Sequence, residues 1–219
     1  MRKSRKNGFT LIEMLTVIVI IVIILSIGLP AFTNLMKSGG LSGAQREVAN
    51  ALGLARQYAI THRTKTRVLF PYSGTIVSAA DTNSTILCPL YLSYAVLDMG
   101  PTNYISKWEH LPAGTVFMDS NPLLGNPPAS RPCLDNLQTT SFIPFPYTNS
   151  VAYPLAYIEF QPTGAATPSP SGGPSSFTLT EGYMSGANVM PTSKTSTSIV
   201  NRAIISVDIV IGRIQVTRP

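Results

Sequence analysis

The sequence predicts an α+β protein: a long N-terminal helix, half transmembrane and half amphipathic, packed on a C-terminal antiparallel β-sheet domain. Three observations carry this. An apolar run fills Phe9–Leu29. Apolar residues then recur at spacings of three and four between Ala44 and Ala59. Beyond about residue 65 the pattern changes to short β-branched and aromatic stretches separated by Pro, Gly, Ser and Thr. Helix first and strands after is the element order of an α+β fold.

The run FTLIEMLTVIVIIVIILSIGL is long enough, as a helix, to cover about 31 Å at 1.5 Å per residue, which matches a bilayer core of roughly 30 Å. Arg2, Lys3, Arg5 and Lys6 precede it without an acid. Positive charge stays on the cytoplasmic side, so the N-terminus is expected inside and the rest of the chain outside. A cleaved secretory signal and a plain signal anchor are the two simple readings of such a segment. The run is longer than a secretory h-region, and no small-x-small cleavage site follows it cleanly. Neither reading accounts for Glu13, the one charged residue within the run. A carboxylate at the centre of a membrane helix costs about 2.5–3.5 kcal/mol on insertion scales, less near an end, and marks a functional site by default.

Pro30 ends the apolar run and is expected to kink the helix, since proline removes one hydrogen bond of the helical ladder. Helix resumes over 31–64. There Ala44, Val48, Ala51, Leu52, Ala55 and Ala59 line one face, and Gln45, Arg46, Asn50, Arg56 and Gln57 line the other. Ser38-Gly39-Gly40 reads as a break or flexible joint between the two halves.

Residues 65–219 are expected to form an extracytoplasmic β-rich domain. Its strands are placed at Thr66–Phe70, Thr75–Ser78, Leu90–Val96, Thr115–Met118, Ala156–Phe160, Ser176–Leu179 and Ala203–Ile211. The last alternates most clearly, and Gly212-Arg213 after it reads as a two-residue hairpin turn into Ile214–Thr217. Pro162–Ser176, Ser185–Ser198 and the proline-rich stretch Asp119–Tyr147 read as loops.

Composition narrows the function classes. The net charge is +6, but removing the four leader bases leaves 12 bases against 10 acids, a weak case for an anionic partner of the body. Cys88 and Cys133 are the only cysteines. In an oxidising compartment they form one disulfide, worth roughly 4 kcal/mol in the chain-entropy model; otherwise they are two unrelated buried thiols. His62 and His110 are the only histidines and lie in different segments, so a Cys–His nucleophile is a far weaker reading than a disulfide and a surface histidine. No metal-ligand spacing and no phosphate-cradling loop is present, and neither catalysis nor a cofactor is expected.

The segment KNGFTLIEML resembles the prepilin signature: a short basic leader, Gly8, an aromatic Phe9, then apolar residues with Glu13 in fifth place. The resemblance implies a leader of residues 1–8 cut after Gly8 by prepilin peptidase, N-methylation of Phe9, and an assembly helix over 9–30 that bends at Pro30. It implies a single-pass inner-membrane protein with a cytoplasmic N-terminus and a periplasmic domain. Its partners would be other pilin or pseudopilin subunits, the membrane and an inner-membrane assembly platform, and it would also occur in a pilus or pseudopilus. In the apolar core of such a filament Glu13 needs a cation, and the amine of Phe9 on a neighbouring subunit is one. Ala55-Arg56, the segment IEFQPTG (Ile158–Gly164) and the end around Gly212-Arg213 resemble the GspH/FimT family of minor pilins and pseudopilins. That resemblance implies either a structural subunit or a DNA-uptake pilin. In the second, Arg202, Arg213 and Arg218, with Lys194, would contact phosphates. Against it stand Gln215, where a second base would strengthen the turn, and the plainer reading of a solvated hairpin.

Overall fold

The computed structural model describes residues 11–72, 74–75, 89–100, 102–119, 132–186, 188–192, 199 and 201–218, with the side chains of 26–39 and 141–142 left out. Gly8, Phe9, Cys88, Lys194 and most of the expected strand Thr75–Ser78 lie outside these. Contacts divide the chain into two compact units, Met1–Gly39 and Gly40–Pro219.

Helix α1 runs from Leu11 to His62. Helical backbone passes through Pro30 and through Ser38-Gly39-Gly40, so the expected break at the glycines is not there. Packing offers a reason. A Cβ on Gly40 would lie 3.4 Å from Thr115 Cγ2 and 3.5 Å from the Ala113 carbonyl, so the glycine lets α1 approach the 112–115 turn. Glycine in a helix costs about 1 kcal/mol relative to alanine, which close packing offsets. The helix stops at Arg63, whose φ of 53° is the left-handed turn common after a helix end.

In the second unit, the described residues form eleven strands in two antiparallel sheets. The first has the order β3-β2-β1-β7-β6, with β4 also paired to β2. Its strands are β1 (Thr66–Phe70), β2 (Ser93–Asp98), β3 (Asn103–Tyr104), β4 (Glu109–His110), β6 (Gln138–Pro144) and β7 (Ala152–Phe160). The second has the order β11-β10-β8-β5, with β9 on β8. Its strands are β5 (Thr115–Phe117), β8 (Ser175–Ser185), β9 (Asn188–Pro191), β10 (Arg202–Val207) and β11 (Ile214–Thr217).

One core joins both sheets to α1. Ala44, Val48, Leu52, Ala55 and Ala59 from the helix meet Val68, Phe70, Val96, Ile158 and Phe160 of the first sheet and Phe117, Phe177, Leu179 and Ile205 of the second. Phe70, Phe117 and Phe177 pack at centroid distances of 5.2–5.6 Å, the spacing of favourable aromatic pairs. Residues one step along these strands point the other way. Leu69, Leu97, Phe145, Tyr153 and Leu155 form a second cluster, with Tyr104 and Trp108 packed against it. The first sheet is therefore apolar on both faces.

Three expected loops hold strands. β6 and a 3-10 turn at Leu134–Asn136 fall within Asp119–Tyr147, and β9 falls within Ser185–Ser198. β6 is an edge strand of mixed polarity that ends on Pro144, where a missing N–H is tolerated. β8 begins at Ser175, inside the stretch read as loop to Ser176, and runs on to Ser185. The C-terminal hairpin also differs. β10 stops at Val207, and residues 208–213 replace the two-residue turn. The Asp208 carboxylate accepts the N–H groups of Val210 and Ile211 at 2.9 and 3.0 Å, and its carbonyl accepts that of Gly212 at 2.9 Å. A side chain that captures its own following amides ends a strand, which alternation alone does not reveal.

Candidate assembly site

From Leu11 to Leu25 the large apolar side chains of α1 are all exposed, between 46% at Val17 and 84% at Leu11. A helix apolar on every side finds its burial in lipid or among other helices. Glu13 lies in its first turn, and the Thr16 hydroxyl donates to the Glu13 carbonyl at 2.9 Å. Among the described residues no helix is long and apolar enough to cross a membrane. The stretch with described side chains, Leu11–Leu25, covers about 22 Å, and both ends of the expected span Phe9–Leu29 lie beyond it.

The second unit holds a clamp. Arg56 on α1 donates its Nε–H to the carbonyls of Ile211 at 3.1 Å and Gly164 at 3.3 Å. Gly212, with a φ of +62°, sits against both partners, and a Cβ there would collide with the Gly164 carbonyl oxygen. Gly164 has a φ of +83°, and a Cβ on it would lie 2.9 Å from Ile60 Cδ1. One guanidinium thus ties the helix to the turn after β7 and to the loop between β10 and β11. Burial of neither Arg56 nor the two glycines is readable from pattern; the signal was their presence in three separate short segments.

The three arginines considered for DNA do not gather. Arg202 opens β10 and Arg213 lies at the far end of that strand, about 17 Å away at 3.3 Å per residue. Arg218 follows β11 back to the Arg202 end, since Thr217 pairs with Ile204. Its guanidinium is engaged by α1, donating to Ser42 Oγ at 2.9 Å and to Gln45 Oε1 at 2.9 and 3.2 Å. Sequence reasoning missed this tether.

Among the described residues Cys133 is a free thiol, buried in the main core, and burial pushes its pKa up to about 11, far from a thiolate; Cys88, its expected disulfide partner, lies outside the described residues. His62 stacks on Tyr58 at 3.8 Å, and His110 is exposed on β4. Cys133 and His110 thus lie in different surroundings, one in the core and one at the surface.

Residues 3–29 match the family model described as the prokaryotic N-terminal methylation motif. That match supports a type IV prepilin-like protein. It coincides with the basic leader, Glu13 and the exposed apolar helix, and supports membrane anchoring and incorporation into a pilus-like filament, with prepilin peptidase and other pilins as the implied partners. Families carrying this motif are structural rather than enzymatic. No curated protein and no solved structure matches the chain. The match ends before the clamp and the sheets, so the motif accounts for the first unit and leaves the second to its own geometry.

Proposed function

We propose that the chain is a minor pseudopilin or minor pilin of the GspH/FimT kind, serving a type II secretion system or a type IV pilus-like filament. Prepilin peptidase cuts after Gly8 on the cytoplasmic face, the new amine of Phe9 is methylated, and the helix over 9–30 anchors the protein in the inner membrane with its domain in the periplasm. The helix then polymerises, with Glu13 pairing with the Phe9 amine of a neighbouring subunit and Pro30 bending the helix. Within one helix those two groups stand about 6 Å apart along the axis, so pairing between subunits sets their stagger. The observation that carries the reading is the methylation motif placed on a helix whose apolar side chains face outward all round. Support for the finer family comes from Arg56, which joins the same three segments that resemble GspH/FimT proteins.

The test is the intact mass of the full chain purified from bacterial membranes with and without prepilin peptidase. The expected product lacks Met1–Gly8 and carries one added methyl group. An unchanged mass in the presence of the peptidase, or a cut elsewhere, would overturn the assignment.

A further inference from the structure

The outer face of the first sheet carries a cleft that the filament role does not use. Its volume is about 540 Å³, within the roughly 300–1,000 Å³ of small-ligand sites. Tyr104, Trp108 and Tyr147 contribute its rings, and Asn103, Lys107 and His110 its polar groups.

The aromatic side chains are held from behind. The indole N–H of Trp108 donates to the Pro146 carbonyl at 2.8 Å, and the Tyr104 hydroxyl donates to the Pro144 carbonyl at 2.7 Å. Trp108 also packs edge-on against Phe145 at 5.0 Å. Two of the three rings, Trp108 and Tyr104, are thus fixed with their donors spent inside the protein. Tyr147 is 58% exposed at the rim. Among the described residues no carboxylate lines the cleft: Glu109, between Trp108 and His110, turns the other way to accept the Tyr94 hydroxyl at 2.9 Å. Along β4 Glu109 and His110 point to opposite faces, so Glu109 does not oppose Lys107 in the lining.

Three ligand chemistries use aromatic clefts, and these details separate them. A proline-rich peptide also docks through aromatic grooves, but its prolines carry no charge for Lys107 to meet. A single-stranded nucleic acid needs a basic groove that follows several phosphates, and among the described residues Lys107 is the only permanently cationic side chain in this lining. A sugar ring asks for less. Its C–H face lies on an aromatic face, its hydroxyls meet amide and hydroxyl groups, and one carboxylate per ring is matched by one cation.

We propose that this cleft binds an acidic saccharide, with a ring stacked on Trp108 and Tyr147, a carboxylate on Lys107 and hydroxyl groups on Asn103. A periplasmic or filament-borne domain with such a cleft would contact uronic-acid-bearing polysaccharide.

Trp108 is the only tryptophan of the chain, so its fluorescence reports on the site. The full chain in detergent micelles is titrated with tri-galacturonate, its methyl ester and a proline decamer. Expected is a saturable change with tri-galacturonate, weakened about tenfold or more by Tyr147→Ala. Lys107→Ala should weaken the acid and leave the methyl ester where it was. Both positions are exposed, and an unchanged far-ultraviolet spectrum confirms that each variant is folded. No saturable change with tri-galacturonate, equal affinity for the acid and its ester, or a response to the decamer alone would overturn the proposal.

Discussion

Glu13 and Asp208 are both carboxylates whose surroundings decide what they do. Glu13 belongs to an apolar helix, and its proposed partner is the amine of another subunit. Glu13→Ala should leave processing at Gly8 intact and abolish assembly, read as a cleaved protein that stays in the membrane fraction and is missing from sheared filaments. Normal incorporation would end the pairing idea. Asp208 is held by amides of its own loop. The N–H of Ile211 and then that of Val210 depress its pKa below the ordinary aspartate value, helped by the charge of Arg213. A group with a lowered folded pKa binds fewer protons folded than unfolded. Its stabilisation is therefore complete above the unfolded value of about 3.9 and is lost as pH falls through the folded value. Asp208→Asn keeps an acceptor for the two amides and removes the titration. The expected result is a shallower loss of stability below about pH 4, followed by chemical denaturation of both proteins across that range.

Among the elements, α1 and the C-terminal hairpin depend on each other through Arg56. A hydrogen bond from a charged donor contributes about 1.5–3 kcal/mol when buried, and Arg56 is half-buried, so Arg56→Ala is expected to lower unfolding free energy by about 1–2 kcal/mol. Arg56→Lys should recover little, because an ammonium does not reproduce the guanidinium geometry. Gly212→Ala should act at least as strongly, since its Cβ meets backbone rather than a movable side chain. Denaturation followed by Trp108 fluorescence measures all three. The same elements show what the sequence made legible. The buried face Ala44, Val48, Leu52, Ala55 and Ala59 was readable because a helix buries every third or fourth residue. β1, β5 and the core of β7 were readable because they are short stretches rich in β-branched and aromatic residues. β6 and β9 were not, since one is an edge strand of mixed polarity and the other lies inside a stretch rich in Ser and Thr, just after β8. β10 was read too long because Ile209 and Ile211 extend the alternation, whereas the Asp208 side chain halts the pairing. The clamp is a contact across 108 and 155 residues, which local pattern cannot supply.

For the molecule as a whole, the question that motif and fold leave between them is whether the second unit handles DNA. Electrostatic binding to duplex DNA rests on the number of phosphates neutralised together, and each adds about −0.9 to the slope of log K against log salt. Arg202, Arg213 and Arg218 acting as one patch would give a slope near −2.7 from themselves alone. They do not form one. Arg213 stands at the opposite end of β10 from Arg202, and Arg218 is drawn onto Ser42 and Gln45 of α1. With the leader bases removed the body has 12 bases against 10 acids, so no broad field compensates for the dispersal. The expected outcome of titrating the full, processed chain in detergent with duplex DNA at two salt concentrations is no saturable binding at the lower one. Saturable binding that weakens steeply with salt, and weakens again in Arg213→Ala combined with Arg218→Ala, would reverse this. It would mean that Arg218 leaves Gln45 when phosphate is offered and that the hairpin, rather than the outer cleft, is the contact surface of the domain.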